Sequence, residues 1–104
     1  MKLVVVLTTF PSKETADSVA ERLVEERLVA CAQVLEGVES VYWWEGKIEK
    51  GKEWLVLLKT TEEAYKRVEE RLVELHPYEV PEIVAIPSLS VYEPYLNWLR
   101  GEIG

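Results

Sequence analysis

The most restrictive feature of this sequence is the order in which extended and helical patterns alternate along it. A β-branched run, Leu3–Thr9, predicts a strand, and Ser12 soon after it is of a type favoured at helix N-caps. Apolar residues then recur at helical spacing until about Leu28. The first part of the chain therefore predicts one strand followed by one amphipathic helix.

The middle of the chain is extended and punctuated by glycines. Cys31–Trp44 predicts a second strand with a bulge near Gly37, and Glu53–Thr60 predicts a third strand. Residues 45–47 and 50–52 are the two candidate turns. Together the two strands should form a long hairpin.

The last part of the chain repeats the helix-then-strand pattern. Thr61–Leu75 predicts a second helix, which should stop before Pro77 because a proline disfavours the helical conformation of its predecessor. Glu82–Ile86 predicts a fourth strand and Glu93–Arg100 a short terminal helix. The order β-α-β-β-α-β predicts a single α+β domain over residues 1–104, a ferredoxin-like sandwich with a C-terminal helix.

The strands of this sheet are apolar at successive positions, which a sheet with one wet face would not be. The pattern holds in Leu3–Leu7, Leu55–Leu58 and Ile83–Ile86. In a ferredoxin-like fold the two main helices cover only one face. Either the long hairpin folds back over the other face, or another subunit covers it. The tryptophans of the hairpin favour an oligomer, because aromatic residues are enriched at interfaces.

The charge balance restricts the class of partner. The chain has 12 basic and 19 acidic residues, a formal net charge of −7. Such a field repels phosphate backbones and anionic lipids, so we expect no nucleic-acid partner and no membrane partner. The apolar run at the start is too short for a secretory signal or a membrane helix. The single cysteine, Cys31, cannot form an internal disulfide, so a cytoplasmic protein is expected.

Amide side chains are scarce, since Gln33 and Asn97 are the only two. Charged residues are abundant, and the combination is common in proteins of hyperthermophiles. The sequence therefore predicts a thermostable protein.

The sequence contains no pattern that predicts an enzyme. It has no glycine-rich phosphate loop, and one histidine with one cysteine cannot complete a tetrahedral zinc site. The lone histidine, His76, leaves three interpretations open: a helix-end or interface hydrogen bond, a metal ligand, or an acid–base group. As a ligand it could be joined by the carboxylates of Glu79 and Glu82. Cys31 is either a small buried side chain or a soft ligand for copper.

Several segments of this chain together resemble the CutA family of divalent-cation tolerance proteins. The segments include TTFPSKETA, LVEERLVACAQV, SVYWWEGKIEKGKEW and LHPYEVPEIVAIP, and the match covers nearly the whole chain. The resemblance implies a non-enzymatic homotrimer with hairpin strands shared between neighbours. It also implies binding of Cu²⁺ or another divalent cation, a role in the response to metal ions, and no organic cofactor.

The resemblance implies a metal site around the only histidine. Proposed ligands in metal-binding members are a cysteine near the end of the first strand and a histidine pair before Pro-Tyr. Here the cysteine position is Thr8 and the pair is Leu75-His76. The metal ligands expected in this chain are therefore His76, Cys31 and Glu82.

The trimeric PII signalling proteins, to which the family is similar in architecture, provide an alternative function. They bind small effectors in clefts between subunits, and a small anion or metabolite is the corresponding ligand here. The residues expected to line such an inter-subunit cleft are Tyr42, Trp44, Lys59 and Tyr78.

Overall fold

A computed structural model describes residues 2–104. The elements are β1 (Leu3–Phe10), α1 (Lys13–Glu25), β2 (Cys31–Trp44), β3 (Lys47–Thr61), α2 (Tyr65–Leu75), β4 (Val84–Pro87) and α3 (Glu93–Glu102). This order confirms the predicted βαββαβ arrangement with a terminal helix. No helix in this part of the chain is both long and apolar enough to cross a membrane.

The four strands form one antiparallel sheet in the order β2-β3-β1-β4. The central strand β1 pairs with β3 along its whole length, from Leu3 opposite Thr61 to Phe10 opposite Trp54. On its other side β4 pairs only with the stretch from Val4 to Leu7. After Leu7, β1 has no partner strand on this side, and the segment after α2 lies beside it instead.

One face of the sheet packs on α1 and α2 and forms the main core. Successive residues of a strand point to opposite faces, so the even-numbered residues of β1 and β3 lie on this side. The fully buried core side chains include Val6, Phe10, Val56 and Leu58 from the strands and Leu23, Val68 and Leu72 from the helices. This core holds β1 and the start of the segment after α2 in fixed positions.

The other face of the sheet is covered only at one end. There α3 packs Leu99 and Tyr95 against Leu3 and Val5. The remaining apolar residues of this face, which we call the open face, are Leu7, Leu35, Leu55, Leu57, Val84 and Ile86. No element of the described chain covers them, and the hairpin does not fold back over them.

The β2–β3 hairpin extends beyond the rest of the sheet as a two-stranded ribbon over residues 38–53. Its turn is at Glu45 and Gly46, which both have positive φ, of 50° and 77°. The second candidate turn, at 50–52, is wrong because those residues continue the ladder with β2. The predicted bulge is present, with Gly37 at a φ of 82°.

Helix α1 ends three residues earlier than the periodicity predicts. Its last residue is Glu25, and Arg27 has a left-handed φ of 57°. The N–H groups of Arg27 and Leu28 then donate to the carbonyls of Val24 and Leu23, the paired bonds that close a Schellman end. Hydrophobic periodicity continues through this motif because Leu28 still packs on the core.

Three elements begin at other residues than predicted. Helix α2 begins at Tyr65, because Thr61 remains in the sheet and its hydroxyl accepts from the Ala64 N–H across a turn. Strand β3 begins at the hairpin turn, since the ribbon is paired throughout. Strand β4 begins at Val84, which is the first of its residues to pair with β1.

Candidate functional site

The side chain of His76 lies at the end of α2 and is buried in the main core. Its backbone N–H donates to the Leu72 carbonyl at 2.8 Å and completes the last turn of the helix. The ring is stacked on Phe10, with centroids 4.3 Å apart and 17° between the planes, and the residue is only 8% exposed. The imidazole therefore packs as a core aromatic ring.

Both ring nitrogens of His76 have a hydrogen-bond partner. The backbone N–H of Tyr78 donates to Nδ1 at 3.2 Å, and Nε2 lies 3.1 Å from the Thr8 hydroxyl. Because Nδ1 is an acceptor, the neutral ring carries its proton on Nε2 and donates it to Thr8. Burial lowers the pKa of His76 below its ordinary value, which favours this neutral form. While these bonds hold, the ring offers no free lone pair to a metal ion.

The residues after His76 carry the chain from the helix side of the sheet to the other side. Tyr78 donates its hydroxyl to the Glu53 carboxylate at 2.6 Å, and Glu53 faces away from the helices. Burial first, and then this hydrogen bond, raise the pKa of Tyr78 well above its usual range. The phenol is therefore neutral and anchors the segment to the hairpin.

A cavity of about 430 Å³ lies between the hairpin and the segment after His76. Its aromatic lining residues are Tyr42, Trp44 and Tyr78. Its carboxylate-bearing lining residues are Glu53, Glu79 and Glu82. We call this cavity, defined by these six residues, the hairpin cavity. It brings together three of the four predicted cleft residues.

The fourth predicted cleft residue, Lys59, lies in a separate cluster under α3. Its Nζ is 5.9 Å from the ring centroid of Tyr95, and its direct partner across the strands is Cys31. The Cys31 Sγ is 3.3 Å from the Tyr95 hydroxyl. Burial and this contact raise the pKa of Tyr95 to about 12. Cys31 is therefore a partly buried side chain with a polar neighbour.

The three predicted metal ligands do not converge within one chain. Thr8, the partner of His76, points toward the helices, whereas Cys31 points to the side of α3. Glu82 lies in the hairpin cavity. Within residues 2–104, no group of three His, Cys, Asp or Glu side chains is placed to hold a metal ion. The three residues come from the end of α2, the start of β2 and the segment before β4, and one chain does not form a closed site from them.

Sequence reasoning missed two pairings that shape this region. The hydrogen bond between Thr8 and His76 spans 68 residues, so no local pattern predicts it. Strand alternation counted from Leu55 is the sequence signal that places Glu53 on the side away from the helices. Its bond to Tyr78 had no local signal, because the partners are 25 residues apart.

Comparisons with known proteins agree with this architecture. Residues 4–102 match the family model described as CutA1 divalent ion tolerance protein. The divalent-cation tolerance protein CutA of Thermus thermophilus is 48% identical over 100 residues, which cover 96% of this chain and 97% of that protein. The protein of the same name from Pyrococcus horikoshii is 48% identical with the same coverage. A solved structure of the Thermus thermophilus protein aligns with a TM-score of 0.95, at 47% identity, over 98% of this chain and 99% of that one.

Proposed function

Because this chain belongs to the CutA1 family of divalent ion tolerance proteins, we propose that it functions in divalent-cation tolerance as a non-enzymatic homotrimer. We further propose that it binds copper or another divalent cation. The observation that carries the assembly is the combination of the open face with the protruding hairpin.

Two features of the single chain support assembly with other copies. The open face presents leucine, valine and isoleucine side chains across all four strands, and exposed apolar patches of this kind mark interaction sites. The ribbon of residues 38–53 has no third strand, and an isolated two-stranded hairpin is only marginally stable in water. Neighbouring copies that pack on the open face and along the ribbon would bury these apolar side chains and stabilise the ribbon.

The support for cation binding comes from the negative charge of the chain and not from a preformed group of metal ligands. The net charge of −7 and the carboxylates of the hairpin cavity attract cations. Cu²⁺ prefers imidazole, and His76 becomes available only if its bond to Thr8 or Tyr78 is broken. We therefore expect modest copper affinity, with His76 and Glu82 as ligands and Cys31 contributing only if assembly brings it near them.

Titration of Cu²⁺ by calorimetry tests this proposal, with light scattering on the same samples. The parent should be trimeric and bind about one copper per subunit, and both His76→Gln and Glu82→Gln should weaken binding while remaining trimeric. Glu70→Gln, on the exposed side of α2, is the matched control. Equal binding by all four proteins would contradict the site, and a monomeric parent would contradict the assembly.

A second candidate function is supported by the hairpin cavity itself. A cavity of about 430 Å³ is within the size range of small-molecule sites, and it contains three of the residues predicted for an effector cleft. This alternative is a signalling module that binds a small effector beside the hairpin, as the PII-like architecture suggests.

A further inference from the structure

We propose that residues 102–104 form a clasp that holds α3 in place by joining its end to the helices on the opposite side of the sheet. The clasp contacts Arg27, which follows α1, and Arg67 of α2. All of these contacts lie within one chain. Because α3 covers the end of the open face at Leu3 and Val5, the clasp fixes how far that face is covered.

The contacts of the clasp involve both side chains and backbone. Arg27 Nη1 donates to the Glu102 carboxylate at 3.1 Å and to the Glu102 carbonyl at 3.2 Å. The Gly104 N–H donates to the Arg27 carbonyl at 3.0 Å, and Arg67 Nη1 donates to the Gly104 backbone oxygen at 3.2 Å. Between these two residues, Ile103 packs into the apolar cluster formed with α3. Three successive residues are therefore held at the end of α3.

The backbone conformation of Arg27 indicates that its side chain is needed at this position. Arg27 closes the end of α1 with a left-handed φ of 57°, where glycine is the usual residue because it has no Cβ to clash. An arginine in this conformation costs free energy, which the bonds of its side chain to Glu102 offset. The packing is also close, since a Cβ on Gly104 would lie 3.2 Å from the Arg27 Cβ.

The main core is built without α3. Its buried side chains come from β1, β3, α1 and α2 and from Val29, whereas α3 packs Leu99 against Leu3 and Ala30 in a separate, smaller cluster. An element that is attached through a small cluster and a few hydrogen bonds can open locally while the rest of the chain stays folded. Removal of the clasp should therefore increase the local opening of α3.

The test is hydrogen–deuterium exchange of the full chain, measured by mass spectrometry on peptides from α3 and β1. Arg27→Gly removes the bonds to Glu102 and at the same time suits the left-handed φ. Amides of α3 should exchange about two- to fivefold faster, the scale of one exposed ion pair. Amides of β1 should exchange no faster than in the parent, because glycine favours the end of α1.

A second clasp variant and a matched control complete the experiment. Arg67→Ala removes the bond to Gly104 and leaves a good helix former in α2, so it should also speed exchange in α3 alone. Arg22→Ala removes an arginine of α1 whose ion-pair partner is Glu26, and it should leave exchange in α3 unchanged. Light scattering should show the same assembly for every variant.

Three results would overturn the inference. One is exchange in α3 that neither Arg27→Gly nor Arg67→Ala changes. Another is equal acceleration in α3 and β1, which would assign the effect to the stability of the whole chain. The third is the same acceleration of α3 in Arg22→Ala. A monomeric parent would contradict the proposed trimer and leave this test valid, because the clasp lies within one chain.

Discussion

His76 links the chemistry of one residue to the stability of the whole chain. The neutral ring is stacked on Phe10, accepts a hydrogen bond from the Tyr78 backbone and donates one to Thr8. A second proton would have to go on Nδ1, where it would face the Tyr78 N–H. Protonation therefore breaks a hydrogen bond and places a charge in the core, which is why burial lowers the pKa of His76.

The first prediction concerns the pH dependence of stability. The pKa of His76 is lower in the folded chain than its unfolded value of about 6.5. The unfolded state therefore binds more protons in this window, and the free energy of unfolding should fall as pH drops below about 6.5, by at most about 1.4 kcal/mol per pH unit. Guanidinium unfolding at fixed protein concentration between pH 8 and pH 5 measures it.

The control for this prediction is His76→Gln, which keeps polar atoms near Thr8 and Tyr78 without a titrating ring. Its unfolding midpoint should be lower than that of the parent at pH 8 and should vary less between pH 8 and pH 5. A parent curve as flat as that of the variant would contradict the role given to His76.

The second prediction concerns the bond between Tyr78 and Glu53. Tyr78→Phe removes the hydroxyl that lies 2.6 Å from the carboxylate and leaves the ring in place. Loss of a hydrogen bond to a charged group at this partly buried site should lower the free energy of unfolding by about 1–2 kcal/mol. Denaturant unfolding measures the loss, and Tyr92→Phe on an exposed tyrosine should cost nothing measurable. Equal stability of the two variants would show that the bond contributes nothing.

At the scale of elements, the hairpin has a turn whose sequence only partly suits its backbone conformation. Its two turn residues both need positive φ, as in a type I′ turn, and glycine meets that need at the second position only. Glu45 has the same conformation with a side chain that disfavours it. The hairpin therefore depends on the pairing of β2 with β3 more than on its turn.

The third prediction follows from that turn. Glu45→Asn should raise the free energy of unfolding by about 0.5–1 kcal/mol, because asparagine tolerates positive φ and Asn-Gly is the preferred type I′ pair. Thermal unfolding at fixed protein concentration measures the gain. Glu45→Ala removes the same charge without that tolerance, so it should give no gain. A gain of equal size in both variants would assign the effect to charge and contradict the conformational reason.

At the scale of the whole molecule, one face of the sheet is covered by helices and the other is covered only in part. The covered face packs on α1 and α2, whereas α3 covers only the end of the other face near Leu3 and Val5. The chain is elongated, with extents of 44 × 26 × 23 Å, and the hairpin protrudes from the sheet. The proposed trimer would explain both features, since neighbouring copies would cover the open face and pack along the hairpin.

The fourth prediction tests the open face directly. Ile86→Lys places a charge on this face at a residue that is 46% exposed in the single chain. In the proposed trimer that charge would be buried without a partner, so the variant should dissociate while its circular dichroism shows a folded chain. Val73→Lys changes a residue that is 59% exposed on α2 and should leave the trimer intact. Light scattering measures both masses, and an intact Ile86→Lys trimer would contradict this interface.

The fold class was predictable because it depends on patterns that are local in the chain. The strand runs, the helical spacing after Ser12 and the stop before Pro77 each follow from residues within a few positions. The errors lie at boundaries such as Arg27, where a Schellman end stops a helix without a glycine. Apolar residues after the end of the helix still pack on the core, so the apolar spacing in the sequence extends past the last helical residue.

The sequence by itself determined the order of elements, the strands with two apolar faces and the acidic charge. Only the tertiary structure decided which polar residues that are distant in sequence contact each other. It paired His76 with Thr8, Tyr78 with Glu53 and Cys31 with Tyr95, and it separated Lys59 from the cavity. The physical reason is that a hydrogen bond between residues distant in sequence depends on strand register and alternation, because a shift of one residue moves a side chain to the other face.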